Sequence, residues 1–160
     1  MTETPTVLYT DHFVNKTLCY NFALGSNSKL CHVNNFNKSN QTIATYGYLR
    51  GTGEAIKKAK NFYYIDHGYF GQSSRNFNNN KTLVNNFDGY FRVVYNDFWH
   101  DGQGQKAEDR LNKLNLKFDN LNTNGEFILL SEPTDEAKKY YNLFNWSEAT
   151  IKEIRKYTDR

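Results

Sequence analysis

Short apolar runs rich in β-branched and aromatic residues alternate along the chain with segments of near-helical spacing. Residues 6–10 (TVLYT) predict a first strand. Over residues 13–24, Phe13, Thr17, Cys19 or Tyr20, and Leu24 fall near a helical repeat, which predicts a helix with Gly25 as its stop. A short strand is expected over 29–33 (KLCHV), followed by an Asn- and Ser-rich connection, 34–41. The next strand is expected over 42–49 (TIATYGYL), then a glycine turn, then a helix from Glu54 to Lys60. Residues 61–70 (NFYYIDHGYF) read as an aromatic strand ending in His67-Gly68, and 71–86 as an exposed, mobile polar loop. Residues 90–96 (YFRVVYN) alternate as a strand does, and 125–133 (GEFILLSEP) read as a buried strand. Two helices close the pattern, 134–144 capped by Thr134 and 147–157 capped by Ser147, the second with Ile151 and Ile154 to Arg155 inward or covered.

Strands separated by helices predict an α/β fold with a mainly parallel sheet. A length of 160 residues fits one domain with a sizeable core, 1–160. The chain ends at KYTDR, where the pattern calls for one more strand.

Composition narrows the class. Aromatics reach 16%, with twelve Tyr and twelve Phe, which argues against disorder. No apolar run approaches the roughly 18 residues that a membrane-spanning helix needs. The first residues, MTETPTVLYTDHF, lack a basic segment followed by an apolar one, so no signal peptide is read. Cys19 and Cys31 belong to no CxxC pair and predict reduced structural thiols in a cytoplasmic protein, with a disulfide between them as the alternative. A net charge of +3 permits a polyanionic partner without arguing for one.

Two stretches concentrate candidate chemistry. In YGYLRGTGEAIKKAK (46–60), a strand passes through Arg50-Gly51-Thr52-Gly53 into a helix, an arrangement that aims backbone N–H groups at an anion. Arg50 would add bidentate pairing. RGTG is neither a Walker loop nor GxGxxG, and Glu54 at the helix start favours plain turn chemistry as the alternative. In YYIDHGYFG, Asp66, His67 and Gly68 fall where a strand ends, the position at which α/β folds place ligand groups. His67 is the residue type most readily set for proton transfer near neutral pH. The alternative makes Asp66 a turn cap and His67 a half-buried hydrogen-bonding residue.

Other residues carry less. Asp97, His100 and Asp101, with Asp66, His67 and His32, match no metal-binding spacing, so no metal is expected. Trp99 and His100 in a glycine loop fit a lining or lid segment. No GxSxG motif is present. Lys57, Lys58 and Lys60 read as a solvated helix face, and the aromatics around Arg92 read as strand core rather than base-stacking platforms.

Taken in order, YGYLRGTGEAIKKA, FYYIDHGYFG, YFRVVYNDF, FILLSEPTDEAKKYYNL and WSEATIKEIRKYTDR resemble the N-terminal portion of a group of phage and bacterial proteins that look like GT-B glycosyltransferases. The resemblance spans residues 42–160. It implies a Rossmann-like three-layer lobe on the acceptor side of a two-lobed transferase, located in the host cytoplasm if phage-encoded. It implies an activated nucleotide sugar as donor, no metal or other cofactor, and a second lobe, partner chain or second copy across the cleft. The resemblance implies a donor-binding lobe, expected after Arg160 and absent from residues 1–160. Carried over by position, the cleft residues are Arg50, Gly51, Thr52 and Gly53 for anion contact, and Asp66, His67 and Gly68, with His67 as base or acceptor ligand. Two other readings stand beside it: a non-catalytic module binding a sugar, nucleotide or partner protein, and a nucleic-acid-binding protein with steep salt dependence.

Overall fold

The computed structural model describes residues 3–69, 75–77, 83–85, 87, 89–100, 112–115, 117, 120 and 124–159, with backbone alone at 75–77 and 83–85. The chain divides into two compact units, Met1–Asn115 and Leu116–Arg160. Each is described by itself.

The first unit is an α/β domain on a mixed five-stranded sheet. Strands β1 (Thr6–Tyr9), β2 (Lys29–His32), β3 (Thr42–Tyr46), β4 (Asn61–His67) and β7 (Phe91–Tyr95) lie in the order β2-β1-β3-β4-β7. The first three pairings are parallel, and β4 with β7 is antiparallel. Leu8 stands opposite both Cys31 and Thr45, which fixes the register at the centre of the sheet. Helix α1 (Phe13–Ser26) links β1 to β2, and α2 (Thr52–Lys58) links β3 to β4. A 3₁₀ turn, Val33–Asn35, begins the crossover from β2 to β3.

Alternation along the strands sends neighbouring side chains to opposite faces, and β1 and β3 are buried on both, as parallel strands between helices are. On one face Val7 and Ala44 pack with Cys19 and Ala23 of α1. On the other, Leu8, Ile43 and Tyr64 pack with Ala55 and Ile56 of α2, with Phe36 of the crossover and Phe98 laid against them. Cys19 and Cys31 belong to these two different faces and are both free thiols, so the disulfide alternative is excluded by the sheet between them. Burial raises the Cys19 thiol to about 11, and its Sγ donates to the Leu8 carbonyl at 3.2 Å.

Several boundaries differ from expectation. α1 runs through Gly25 to Ser26 and is closed by Asn27 in the left-handed region (φ 51°), whose N–H returns to Ala23 and Leu24. Asparagine tolerates that conformation, so the stop falls two residues later. β3 ends at Tyr46 and α2 begins at Thr52, because residues 47–51 form the turn itself. Within 71–86, expected to be loop, two three-residue strands, β5 (Arg75–Phe77) and β6 (Leu83–Asn85), pair antiparallel with Asn76 opposite Val84. Strands that short leave no usable period in the sequence.

In the second unit, α3 (Asp135–Tyr141) is capped as expected, the Thr134 hydroxyl accepting from the Ala137 N–H at 3.2 Å. α4 (Trp146–Ile154) starts after Asn145, one residue earlier than expected. Ser147 lies inside that helix and is not its cap: its hydroxyl donates to Glu132 Oε1 at 2.5 Å, and Lys138 Nζ donates to the same oxygen at 2.7 Å. Lys138 and Ser147 hold the Glu132 carboxyl below its ordinary range. The segment expected as a buried strand is not one: residues 127–134 carry no strand, and Phe127 and Leu129 are 87% and 95% exposed. Ile151 and Arg155 are exposed as well, and neither helix holds a buried residue. An apolar run is buried only if another strand or helix covers it, and the run itself does not supply that cover.

A candidate ligand cleft at the carboxyl ends of β1, β3 and β4

The chain leaves β1 in one direction toward β2 and later returns on the other side as β3. The strand ends beside β1 are therefore a switch point, where an α/β sheet opens a crevice. A cleft of about 290 Å³ lies there. Thr10, His12 and Asn15 line it from the end of β1 and the start of α1, residues 46–50 from the turn after β3, and Tyr64 and Asp66 from β4.

Asn15 braces the floor. Its Oδ1 accepts from the Thr10 N–H and its Nδ2 donates to the Tyr46 carbonyl, both at 2.7 Å, so one buried amide joins the ends of β1 and β3. His12 is the N-cap of α1 in extended conformation, with its N–H on the Thr10 hydroxyl at 3.3 Å.

The turn after β3 is built from inside. Gly47 and Gly51 have φ of +70° and +91°, conformations that glycine adopts freely. Gly47 N–H donates to the Ile65 carbonyl at 3.1 Å, and Gly53 N–H to the Tyr48 carbonyl at 3.1 Å. Thr52 is fully buried, its hydroxyl 3.0 Å from the Gly47 carbonyl and 2.7 Å from the Leu49 carbonyl. The donors of Thr52 and Gly53 are thus spent within the turn. Arg50 differs: it lines the cleft, is exposed, and has no acidic partner among the described residues.

Asp66 and His67 are neighbours on β4 and so point to opposite faces. The Asp66 carboxylate accepts from the His67 N–H (2.7 Å), Arg92 Nη2 (3.0 Å) and the Tyr64 hydroxyl (3.3 Å). Arg92 is itself held by the carbonyls of His67 and Phe98 and stacked near Tyr64, Tyr69 and Trp99. His67 lies on the α1 face, with Nε2 3.0 Å from the Tyr46 hydroxyl and its ring against Phe91. It is not among the residues lining the cleft, so the geometry brings Arg50 and Asp66 together and leaves His67 outside. Gly68 N–H donates to the Tyr90 carbonyl at 2.7 Å, tying the end of β4 to the start of β7.

Sequence reasoning passed over His12, Asn15 and Tyr64. The signal was available for the first two, since they follow the first strand as Asp66 ends the fourth. Among the described residues, no three His, Cys, Asp or Glu side chains converge as a metal site would require. Asp97 caps its own turn, accepting from the N–H groups of Phe98 and Trp99; Asp101 lies outside the described residues. Also among the described residues, no helix is long and apolar enough to cross a membrane.

No family model matches the chain, and neither the curated proteins nor the solved structures yield a match.

Proposed function

We propose that the first unit binds a small hydroxyl-rich ligand, a sugar or a nucleotide, in the cleft over β1, β3 and β4. The observation that carries this reading is the position of the cleft, at the switch point of a mainly parallel sheet. Its size lies at the small end of ligand pockets, about 300–1,000 Å³. Its lining supports a hydroxylated ligand. Asp66 uses three of its roughly four acceptor positions within the protein, which leaves one for a ligand hydroxyl, and Thr10 and His12 add polar groups beside it.

The more specific form is the acceptor-side lobe of a GT-B-like glycosyltransferase, a Rossmann-like lobe that takes a nucleotide sugar with a second lobe, a partner chain or a second copy opposite. The resemblance over residues 42–160 motivates it. In this form the base acting on an acceptor hydroxyl is His12, the histidine of the cleft, and His67 positions β3 through Tyr46. The non-catalytic binding module is favoured by a different observation: Asp66 is already committed to Arg92 and is not a free base.

The ¹⁵N-labelled protein titrated with glucose and with uridine monophosphate tests the reading. Amide shifts should cluster at Asn15, Gly47 and Arg50 for at least one of them, and Asp66→Asn should weaken them. Shifts elsewhere, or none at tens of millimolar, would overturn it. Release of uridine diphosphate from a uridine diphosphate sugar, lost in His12→Ala, separates transferase from binding module.

A further inference from the structure

We infer that the ligand of this cleft carries a negative charge, a phosphate ester or a carboxylate, and that Arg50 is the residue that selects it; this rests on the ligand reading of the same cleft. Six non-glycine residues among those described have positive φ, and five of them are asparagine. Arg50, at φ +59°, is the sixth. Asparagine offsets the left-handed conformation with local hydrogen bonds from a short side chain, whereas a residue such as arginine bears its steric cost in full. Gly51, the next residue, is left-handed too, at φ +91°, so Arg50 opens a pair of left-handed residues at the end of the turn. Asparagine would be the less strained occupant, as it is at the other five sites. An arginine held against that preference, on the lip of a cleft, marks a side chain kept for what it contacts.

Charge points the same way. The carboxylate of the cleft, Asp66, is already neutralised by Arg92 at 3.0 Å. Arg50 has no such partner among the described residues, so the lining is left with one uncompensated positive charge. The anion is met by the guanidinium and not by Thr52 or Gly53, whose N–H groups, with the Thr52 hydroxyl, are consumed in the turn. A planar fork of donors suits a phosphate or carboxylate bound edge-on. A neutral sugar would reach Asp66 and Thr10 without using Arg50.

The test compares three probes on the wild-type protein and on Arg50→Asn: glucose, glucuronate and glucose 6-phosphate, followed by amide shifts at Asn15 and Gly47. The expected result is that at least one anionic sugar binds about tenfold or more tighter than glucose. That preference should vanish in Arg50→Asn and shrink as salt is raised. A phosphate ligand favours glucose 6-phosphate, a carboxylate ligand favours glucuronate. Arg50→Asn should melt no lower than wild type, since it relieves the backbone. Equal binding of glucose and both anions would overturn the inference while leaving the ligand cleft standing, as would a preference that survives in Arg50→Asn. Absence of binding by all three would overturn both.

Discussion

Asp66 and Arg92 stand directly opposite each other in the β4–β7 register, with Nη2 3.0 Å from Oδ2. The arginine side chain is 12% exposed and the aspartate 30%, so the pair is partly screened. Arg92→Met removes the cation and also the donors to the His67 and Phe98 carbonyls. We expect it to cost about 2 kcal/mol in urea unfolding, below the loss for a fully buried pair. Asp66→Asn keeps an acceptor and should cost less. A loss under about 0.5 kcal/mol for Arg92→Met would show the pair to be ornamental to stability.

Gly51 should resist substitution for a backbone reason alone. A Cβ there meets Val33 Cγ2 at 3.5 Å, an ordinary contact, but φ is +91°. Gly51→Ala is therefore expected to cost about 1–2 kcal/mol, and Val33→Ala in the same chain should not restore it. Recovery by Val33→Ala would instead make the obstacle steric.

The turn also depends on one hydroxyl. Thr52→Val keeps the shape and removes the donor to the Gly47 and Leu49 carbonyls, at about 1–2 kcal/mol. Thr52→Ser should retain most of the stability. A loss confined to serine, with valine close to wild type, would instead place the role in the methyl group.

Thiol chemistry should separate the two cysteines. The Cys19 thiol, pushed to about 11, is fully buried, whereas Cys31 is half-buried. At pH 8 an aromatic disulfide reagent should modify one thiol of the folded protein and the second only on unfolding. Because the folded value lies above the ordinary 9.0, the stability from burying the neutral thiol is complete below pH 9 and is lost as pH rises toward 11. Rapid modification of both thiols at pH 8 would contradict this placement.

Glu132 offers the opposite sign. Hydrogen bonds from Lys138 and Ser147 lower its carboxyl below the ordinary 4.5, so whatever it adds to the second unit is present above pH 4.5 and is lost as pH falls through the lowered value. Carbonyl-detected NMR titration should find Glu132 ionising at lower pH than the other glutamates, and Lys138→Met should move it back up. Coincidence with the other glutamates would refute the tie.

How far the chain could be read without its structure depends on the range of each cause. Thr134 was legible as a cap because its partner lies three residues away. Ser147, an equally good candidate, is drawn to Glu132 fifteen residues upstream, which no local rule detects. The central strands were legible because burial on two faces leaves apolar runs and β7 because it alternates, while residues 127–130 show that an apolar run does not guarantee burial. Arg50 and Asp66 were singled out by their places at strand ends, and both line the cleft. The partition of Asp66 and His67 to opposite faces was implicit in their adjacency. His12 and Asn15 reach the cleft only because β1 lies beside β3, a pairing between distant segments.

The reversal of β7 has an evolutionary consequence. A parallel strand in that place would start at the far end of the sheet, away from the cleft. Running antiparallel, β7 begins where β4 finishes, and Gly68 is bonded to Tyr90 across that junction. The connection between these two residues therefore departs from and returns to the rim beside the cleft. Changes of length within it need not interrupt the parallel pairings of β1 to β4, although Phe87 rests against Phe13 of α1. Residues 69–89 are thus a stretch whose length can change at the rim of the cleft while the strand order β2-β1-β3-β4 is kept.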